Sequence, residues 1–266
     1  MTRRVVDVKC LTAFVLLLVL ISSWAFAAPY VILKKSNKRY VGTGIKKMRN
    51  GDIVLTKDSN KMTFTKDQVK LAVADKPQAF DVAVRAVNAG KYDSAIGTME
   101  KIVKNYSGLS WDIKIMPYLA KAYKEQGHPR KAIGTYEDMY ARSPDMKNND
   151  KISAAYCALL LQTKEMGKLK KKLDEMIKTG GRESAARAQV MRGDIKMSEK
   201  SYKDAAKDYL RTVYFFKKVD AVLPEATYKV AVSLEKLRDK RAKIWYKTVV
   251  EQFPGSVYAA KARKKL

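Results

Sequence analysis

The pattern of hydrophobic and polar positions changes once along the chain, near Pro77. From Tyr30 to Pro77, apolar and polar residues alternate with a period close to two, in five short runs rich in β-branched and aromatic residues. Runs of this kind predict β-strands. After Pro77 the apolar residues recur with a period near 3.6, which predicts helices to the end of the chain. The sequence therefore predicts a mainly α protein with a small β region in front.

The β region, residues 28–77, is predicted to be a small all-β module. Asn50-Gly51 separates two of the runs and predicts a hairpin turn, because both residues tolerate positive φ. Five short strands are too few for a sandwich, and they suit a twisted meander or an SH3-like barrel. Gly42 and Gly44 in "YVGTG" are predicted to mark backbone crowding or a bulge. Two roles stay open for this module, namely packing against the helices and specific binding.

The helical region, residues 78–266, contains an internal repeat. Small residues stand twelve positions apart in three pairs, which are Ala83 and Ala95, Ala120 and Ala132, and Gly193 and Ala205. Ala231 begins a further copy of the plan near the C-terminus. Equivalent points lie about 33 to 40 residues apart, and repetition at this period indicates a helical solenoid. We expect about five helix pairs.

Each residue type in the repeat has a physical role. Small side chains let two antiparallel helices cross closely, while Gly90 and Gly127 turn the chain between them with positive φ. Pro144 and Pro254 are expected to end second helices, because proline cannot continue a helix. Pro117 falls inside the first helix of the second unit, where it either begins that helix or kinks a longer one.

The unit from Met116 to Pro144 resembles the tetratricopeptide repeat at nearly every consensus place. Those places are Leu119, Ala120, Tyr123, Gly127, Ala132 and Tyr136, together with the two ends. Residues 149–180 keep the length and apolar rhythm of a unit but few of its residue types. The ending "VVEQFPGSVYAAKARKKL" is similar to the closing helix of exported envelope repeat proteins, such as the Tol-Pal cell-division coordinator and the outer-membrane assembly lipoprotein. The resemblance implies a superhelix that binds protein partners.

In this family the first helix of each unit lines the concave face. The resemblance therefore places Lys114, Lys121, Lys124 and Arg187 in a partner-binding groove. Such cations could clamp a carboxylate-bearing peptide end or an acidic segment. A solvated lysine face without a partner is the alternative.

The N-terminus predicts export. Arg3, Arg4 and Lys9 precede an uncharged run, and Ala25-Phe26-Ala27 has the small-residue spacing that a signal peptidase reads. Residues 1–27 are thus a predicted signal peptide, which would leave the protein periplasmic or extracellular. The alternative is an uncleaved inner-membrane anchor at residues 11–28, which are just long enough to span a bilayer.

Charge points to acidic partners. The chain carries net charge +27, and since residues 1–27 contribute three cations and one acid, the remainder carries +25. Such an excess attracts polyanions. Lysine clusters at 168–178 and 261–266 suit contact with anionic envelope polymers or lipid head groups, or else form solvated helix surface. Nucleic acid is disfavoured, because aromatic residues are not interleaved with the cations as stacking platforms.

The sequence predicts no catalysis, cofactor or metal. His128 is the only histidine and lies in an interhelical turn, while Cys157 lies in the apolar stretch "AAYCALLL" and is predicted to be a buried, inert residue. Phosphate-loop, GxSxG and HExxH motifs are absent from the sequence. The leading hypothesis is an exported, non-catalytic envelope scaffold that binds proteins on its concave face. The alternative is a binder of anionic envelope polymers such as lipopolysaccharide or acidic glycan, through the lysine-rich surfaces and the β module.

Overall fold

The computed structural model describes residues 28–266, so the predicted signal peptide lies outside the described residues. Six strands form two three-stranded antiparallel sheets. The first sheet has the order β2-β1-β6 and the second the order β3-β4-β5. Their bounds are β1 Tyr30–Leu33, β2 Arg39–Val41, β3 Gly44–Lys47, β4 Ile53–Lys57, β5 Asn60–Phe64 and β6 Val69–Val73. The first and last of these strands, β1 and β6, pair with each other.

The expectation of five strands was wrong by one, because the run at 38–48 divides into β2 and β3. At the division, Gly42 donates its N–H to the Pro29 carbonyl and Thr43 donates to the Thr56 carbonyl, so the chain passes from one sheet to the other. A Cβ at Gly42 would overlap the Thr56 carbonyl oxygen, so only glycine fits there. Gly44 has no such close neighbour, and the expectation of crowding holds at Gly42 alone.

Helices occupy the rest of the described chain as five antiparallel pairs and a closing helix. The predicted fold class, a mainly α superhelix behind a small β module, is therefore confirmed. The helix bounds are α1 Ala79–Asn88, α2 Tyr92–Asn105, α3 Trp111–Glu125, α4 Pro129–Arg142, α5 Asp150–Gln162, α6 Met166–Thr179, α7 Arg182–Ser198, α8 Tyr202–Phe215, α9 Leu223–Lys236, α10 Arg241–Gln252 and α11 Val257–Arg263.

In every helix pair, one residue of the turn between the two helices has a left-handed backbone conformation. These residues are Gly90, Gly127, Lys164, Lys200 and Arg238, with φ between 56° and 77°. They are spaced 37, 37, 36 and 38 residues apart. Glycine adopts this φ without strain, whereas a side chain makes it costly. The backbone geometry thus repeats in all five units, although the glycine is present in only two.

The same register explains the small residues of the first helices. Seven positions before each turn residue stand Ala83, Ala120, Cys157, Gly193 and Ala231, and all five are buried. Cys157 is thus the small contact residue of the third unit. In the second helices, Ala95, Ala132 and Ala205 are fully or almost fully buried opposite these positions, while Leu169 takes the equivalent place in α6. The third unit, which sequence reasoning found degenerate, keeps the register with larger residues.

The prolines lie at two kinds of position. Pro144 follows the end of α4 and opens a short 3-10 helix over Pro144–Asn148, and Pro254 follows the end of α10. Pro117 lies inside α3 rather than at its start, so the longer of the two predicted helices is present.

The β module packs against the turn between α2 and α3. Trp111 donates its Nε1–H to the Ala74 carbonyl (2.7 Å), and the Ser110 hydroxyl donates to the Ala72 carbonyl (2.8 Å). Leu109 is buried in the same apolar cluster as Val31 and Leu55 of the strands. The two regions therefore share a core.

Candidate functional site

A recess lies between α3 and α5, the first helices of the second and third units. Its volume is about 360 Å³. Its floor is mainly apolar and is formed by Pro117, Tyr118, Ala120, Tyr136, Ile152, Ala155, Ala158 and Leu159. Ala155 and Ala158 are exposed on α5, and their small side chains leave the space that a larger residue would fill. The recess can therefore accept an apolar side chain from outside.

Cations surround the recess. Lys121 and Lys124 reach it from α3, and Lys151 reaches it from the first turn of α5. Lys124 pairs with Glu125 at 2.9 Å. Within residues 28–266, Lys121 and Lys151 have no acidic side chain within 4.0 Å. Two uncompensated ammonium groups beside an apolar floor favour a ligand that is both apolar and acidic.

The four predicted groove residues do not share one cavity. Lys121 and Lys124 line the recess just described. Lys114 lies against the Trp111 ring, with its Nζ 4.1 Å from the ring centroid. Arg187 pairs with Glu183 at 2.7 Å and lines a separate cavity of about 210 Å³ between α5 and α7.

Sequence reasoning missed Lys151, although the register could have found it. Lys114, Lys151 and Arg187 lie 37 and 36 residues apart, so they occupy the same repeat position in three successive units. Glu225 follows at the next interval. Cations therefore occupy this position in the second to fourth units, and an acid occupies it in the fifth.

Between α7 and α9, the first helices of the fourth and fifth units, a lysine is paired with two acids of the protein itself. The ammonium of Lys229 lies 2.7 Å from a carboxylate oxygen of Asp194 and 2.5 Å from Glu225. Burial opposes the charge on Lys229, but hydrogen bonds to both acids outweigh this and raise its pKa. The Tyr209 hydroxyl also donates to Asp194 at 2.7 Å. The charge of Lys229 is therefore compensated within the protein, unlike the charges of Lys121 and Lys151 at the α3–α5 recess.

The two lysine clusters predicted at 168–178 and 261–266 are engaged in part within the protein. In the first, Lys172 is buried and donates to the Lys147 carbonyl at 3.0 Å. Ion pairs hold three further lysines, which are Lys168 with Glu137 (2.7 Å), Lys170 with Glu199 (2.7 Å) and Lys265 with Glu235 (3.0 Å). These contacts reduce the charge that either cluster offers to a polyanion.

Cys157 and His128 do not form a reactive pair. Cys157 is a free, buried thiol, and burial raises its pKa to about 11, so it is inert as predicted. His128 is exposed and immediately precedes α4. Within residues 28–266, no group of three His, Cys, Asp or Glu side chains is placed to hold a metal ion. In that same range, none of the helices has both the length and the apolar character needed to cross a membrane.

Comparison with known proteins identifies the fold of the helical region. No protein-family model matches the chain, and no curated protein matches it either. A crystal structure of MamA superposes with a TM-score of 0.51 at 16% identity, covering 65% of this chain and 88% of that one. The helical region has a tetratricopeptide-like fold. A variant of a Podosopora anserina putative kinesin light chain, with nearly identical TPR-like repeats, gives a TM-score of 0.50 at 14% identity, covering 70% and 94%. At these identities the likeness shows the fold alone.

Proposed function

We propose that this protein is a non-catalytic, exported scaffold of the bacterial cell envelope. Its α3–α5 recess binds a segment of a partner protein that carries a bulky apolar residue beside acidic residues. One observation carries this proposal. The recess has a volume of about 360 Å³ and an apolar floor, and it lies between two lysines, Lys121 and Lys151, that have no acidic partner in residues 28–266.

The recess has the composition of an interface centre. Interfaces gain most of their affinity from a few residues that enter well-packed apolar pockets, and surrounding charges set the approach and the register. An aromatic or long aliphatic side chain would cover Ile152 and the Tyr118 ring. Carboxylates next to it would reach Lys121 on one side and Lys151 on the other.

Export is the part of the proposal that rests on sequence. The basic start, the uncharged run and Ala25-Phe26-Ala27 support removal of residues 1–27 on the way to the envelope. The closing helix is similar to that of the Tol-Pal coordinator and the outer-membrane assembly lipoprotein, and this supports an envelope role of the same kind. N-terminal sequencing of the secreted protein should begin at Ala28, whereas recovery of the intact N-terminus in membranes would support the anchor.

Crosslinking in intact cells identifies the partner. A photo-reactive residue at Ala158, on the floor of the recess, should capture one predominant protein, which mass spectrometry identifies. The same residue at Ala260, exposed on the closing helix, is the control and should capture that protein far less. Equal capture at both sites would exclude the recess as the binding site.

Binding of the captured segment then tests the two halves of the recess. Ala155→Trp fills the floor, and the double variant Lys121→Gln/Lys151→Gln removes the free cations. Each should weaken binding about tenfold or more, whereas the exposed pair Lys243→Gln/Lys247→Gln should not. Added salt should weaken binding by no more than the double lysine variant does, because salt screens the lysine contacts but not the apolar anchor. A polymer held only by ion contacts would instead be released steeply.

A further inference from the structure

A second cleft lies where the β module meets the helices. Its volume is about 410 Å³, which is within the usual range for small-ligand sites. Residues of the β-strands and of the loops that connect them form one wall of the cleft. The α2–α3 turn, the start of α3 and the end of α4 form the other wall. Domain junctions are common positions for ligand sites.

The walls of this cleft are fixed in place. Besides the bonds of Ser110 and Trp111, the Ala74 N–H donates to the Leu109 carbonyl at 3.3 Å. Lys47 extends from β3 across to Gly108, where a Cβ would lie 2.8 Å from the Lys47 Nζ. Gly108 has a φ of 73°, so its lack of a side chain both permits the turn and admits the lysine. The cleft is therefore formed before any ligand enters.

The cleft is rich in cations. Lys47, Lys66 and Lys70 line it from the β module, and Arg142 lines it from the end of α4. Lys70 donates to the Asn37 side chain at 2.8 Å, and Arg142 pairs with Asp138 at 2.7 Å. Lys47 and Lys66 have no acidic side chain within 4.0 Å among residues 28–266. Two ammonium groups are thus available to an anion.

One carboxylate oxygen of a buried acid in the cleft has no hydrogen-bond donor among the described residues. Asp112 is completely buried, and its Oδ2 accepts from the Gly108 N–H at 3.0 Å and from Arg142 at 3.5 Å. Its Oδ1 is buried without any partner in the described structure. Buried carboxylate oxygens are normally hydrogen-bonded, because leaving one unpaired costs free energy. The site therefore calls for a hydroxyl or amine donor beside the cations.

We infer that this cleft binds an acidic sugar, whose carboxylate or phosphate pairs with Lys47 and Lys66 while one of its hydroxyls donates to Asp112 Oδ1. A simple anion would pair with the lysines but leave Asp112 Oδ1 without a donor. A neutral sugar would donate to Asp112 Oδ1 but leave the lysines without an anion. The combination of groups in one cleft favours a ligand that carries both.

Calorimetric titration of the full chain tests this assignment with defined probes. Trigalacturonate and glucose 6-phosphate supply both groups, while glucose and inorganic phosphate each supply one. Both acidic sugars should bind at least about tenfold more tightly than either single-group probe. A much stronger response to trigalacturonate than to galacturonate would identify a polymer chain as the source, and equal responses would identify a free sugar acid. Phosphate binding as tightly as glucose 6-phosphate would show an adventitious ion only and overturn the inference.

Matched charge variants locate the site. Lys47→Gln/Lys66→Gln should weaken acidic-sugar binding about tenfold or more, and both residues are exposed, so folding should be preserved. The control Lys57→Gln/Lys61→Gln removes the same charge from the far end of the β4–β5 hairpin and should leave affinity unchanged. Equal losses in the two variants, or none in the first, would overturn the inference. Asp112→Asn should reduce the preference for acidic sugar over phosphate, and an unchanged preference would contradict the hydroxyl contact.

Discussion

Replacing Gly193 by alanine should destabilise the protein, although the same change normally stabilises a helix. Gly193 lies within α7, with the buried ring of Tyr209 directly against it. A Cβ there would lie 2.5 Å from Cε1, 2.8 Å from Cδ1 and 2.9 Å from Cζ of that ring. Carbon atoms in contact prefer about 3.5–4.0 Å, so the ring must move by roughly 1 Å. That movement also strains the bond from the Tyr209 hydroxyl to Asp194.

The opposing effects can be compared in size. Alanine is favoured over glycine in a helix interior by about 1 kcal/mol. Overpacking a buried site costs about 1–3 kcal/mol, and a hydrogen bond to a charged group contributes about 1.5–3 kcal/mol when fully lost. With a typical overpacking cost and most of the bond weakened, we expect Gly193→Ala to reduce the free energy of unfolding by about 2–3 kcal/mol. The melting temperature should fall by about 4–12 °C.

Gly97→Ala is the matched control. Gly97 also lies inside a helix, α2, but a Cβ there would have no atom within 4 Å. This variant should gain about 0.5–1 kcal/mol. Urea unfolding followed by circular dichroism at 222 nm gives both midpoints. If Gly193→Ala moved the midpoint upward like Gly97→Ala, the close packing of α7 on α8 at this position would be refuted.

Three further outcomes follow from the described contacts. Trp111→Phe should keep an aromatic ring at this position but lose the bond to the Ala74 carbonyl, which costs at least about 1–2 kcal/mol and should speed hydrogen exchange in β6. Cys157 should react with a thiol reagent at pH 8 only on unfolding, measured with Cys10 replaced by serine; rapid labelling of the native protein would contradict its burial. Burial and then Glu100 raise the pKa of Tyr123 to about 12, and other buried tyrosines shift the same way. Their contribution to stability is therefore complete below pH 10 and lost as the pH rises through 12, so the urea midpoint should fall over that range and not between pH 7 and 9.

Much of the fold was predictable because its rules are local. The amino-acid sequence shows the twelve-residue spacing of small residues, the glycines of the turns and the change of hydrophobic period. The third unit was harder to recognise, since Cys157 and Leu169 replace the alanine or glycine that marks the other units. The division of the run at 38–48 also escaped prediction, because it depends on the approach of the Thr56 carbonyl, which no local pattern records.

The candidate sites were less predictable, since they depend on contacts between units. Sequence reasoning placed Lys121 and Lys124 on the concave face but could not show that Trp111 holds Lys114 or that Glu183 holds Arg187. It found neither the recess left by Ala155 nor the cleft at Asp112. Both are cavities, and the size and position of a cavity depend on how several segments that are distant in the sequence pack together.

The left-handed residues of the interhelical turns bear on how such proteins can be recognised. Three units accept a lysine or arginine where glycine would be unstrained, at a cost of about 1–2 kcal/mol each. The positive φ is kept in these three turns although the glycine that usually adopts it is absent. The backbone of the turn is therefore more uniform across the five units than the residue at its centre. Relatives of this chain should accordingly be sought by backbone shape.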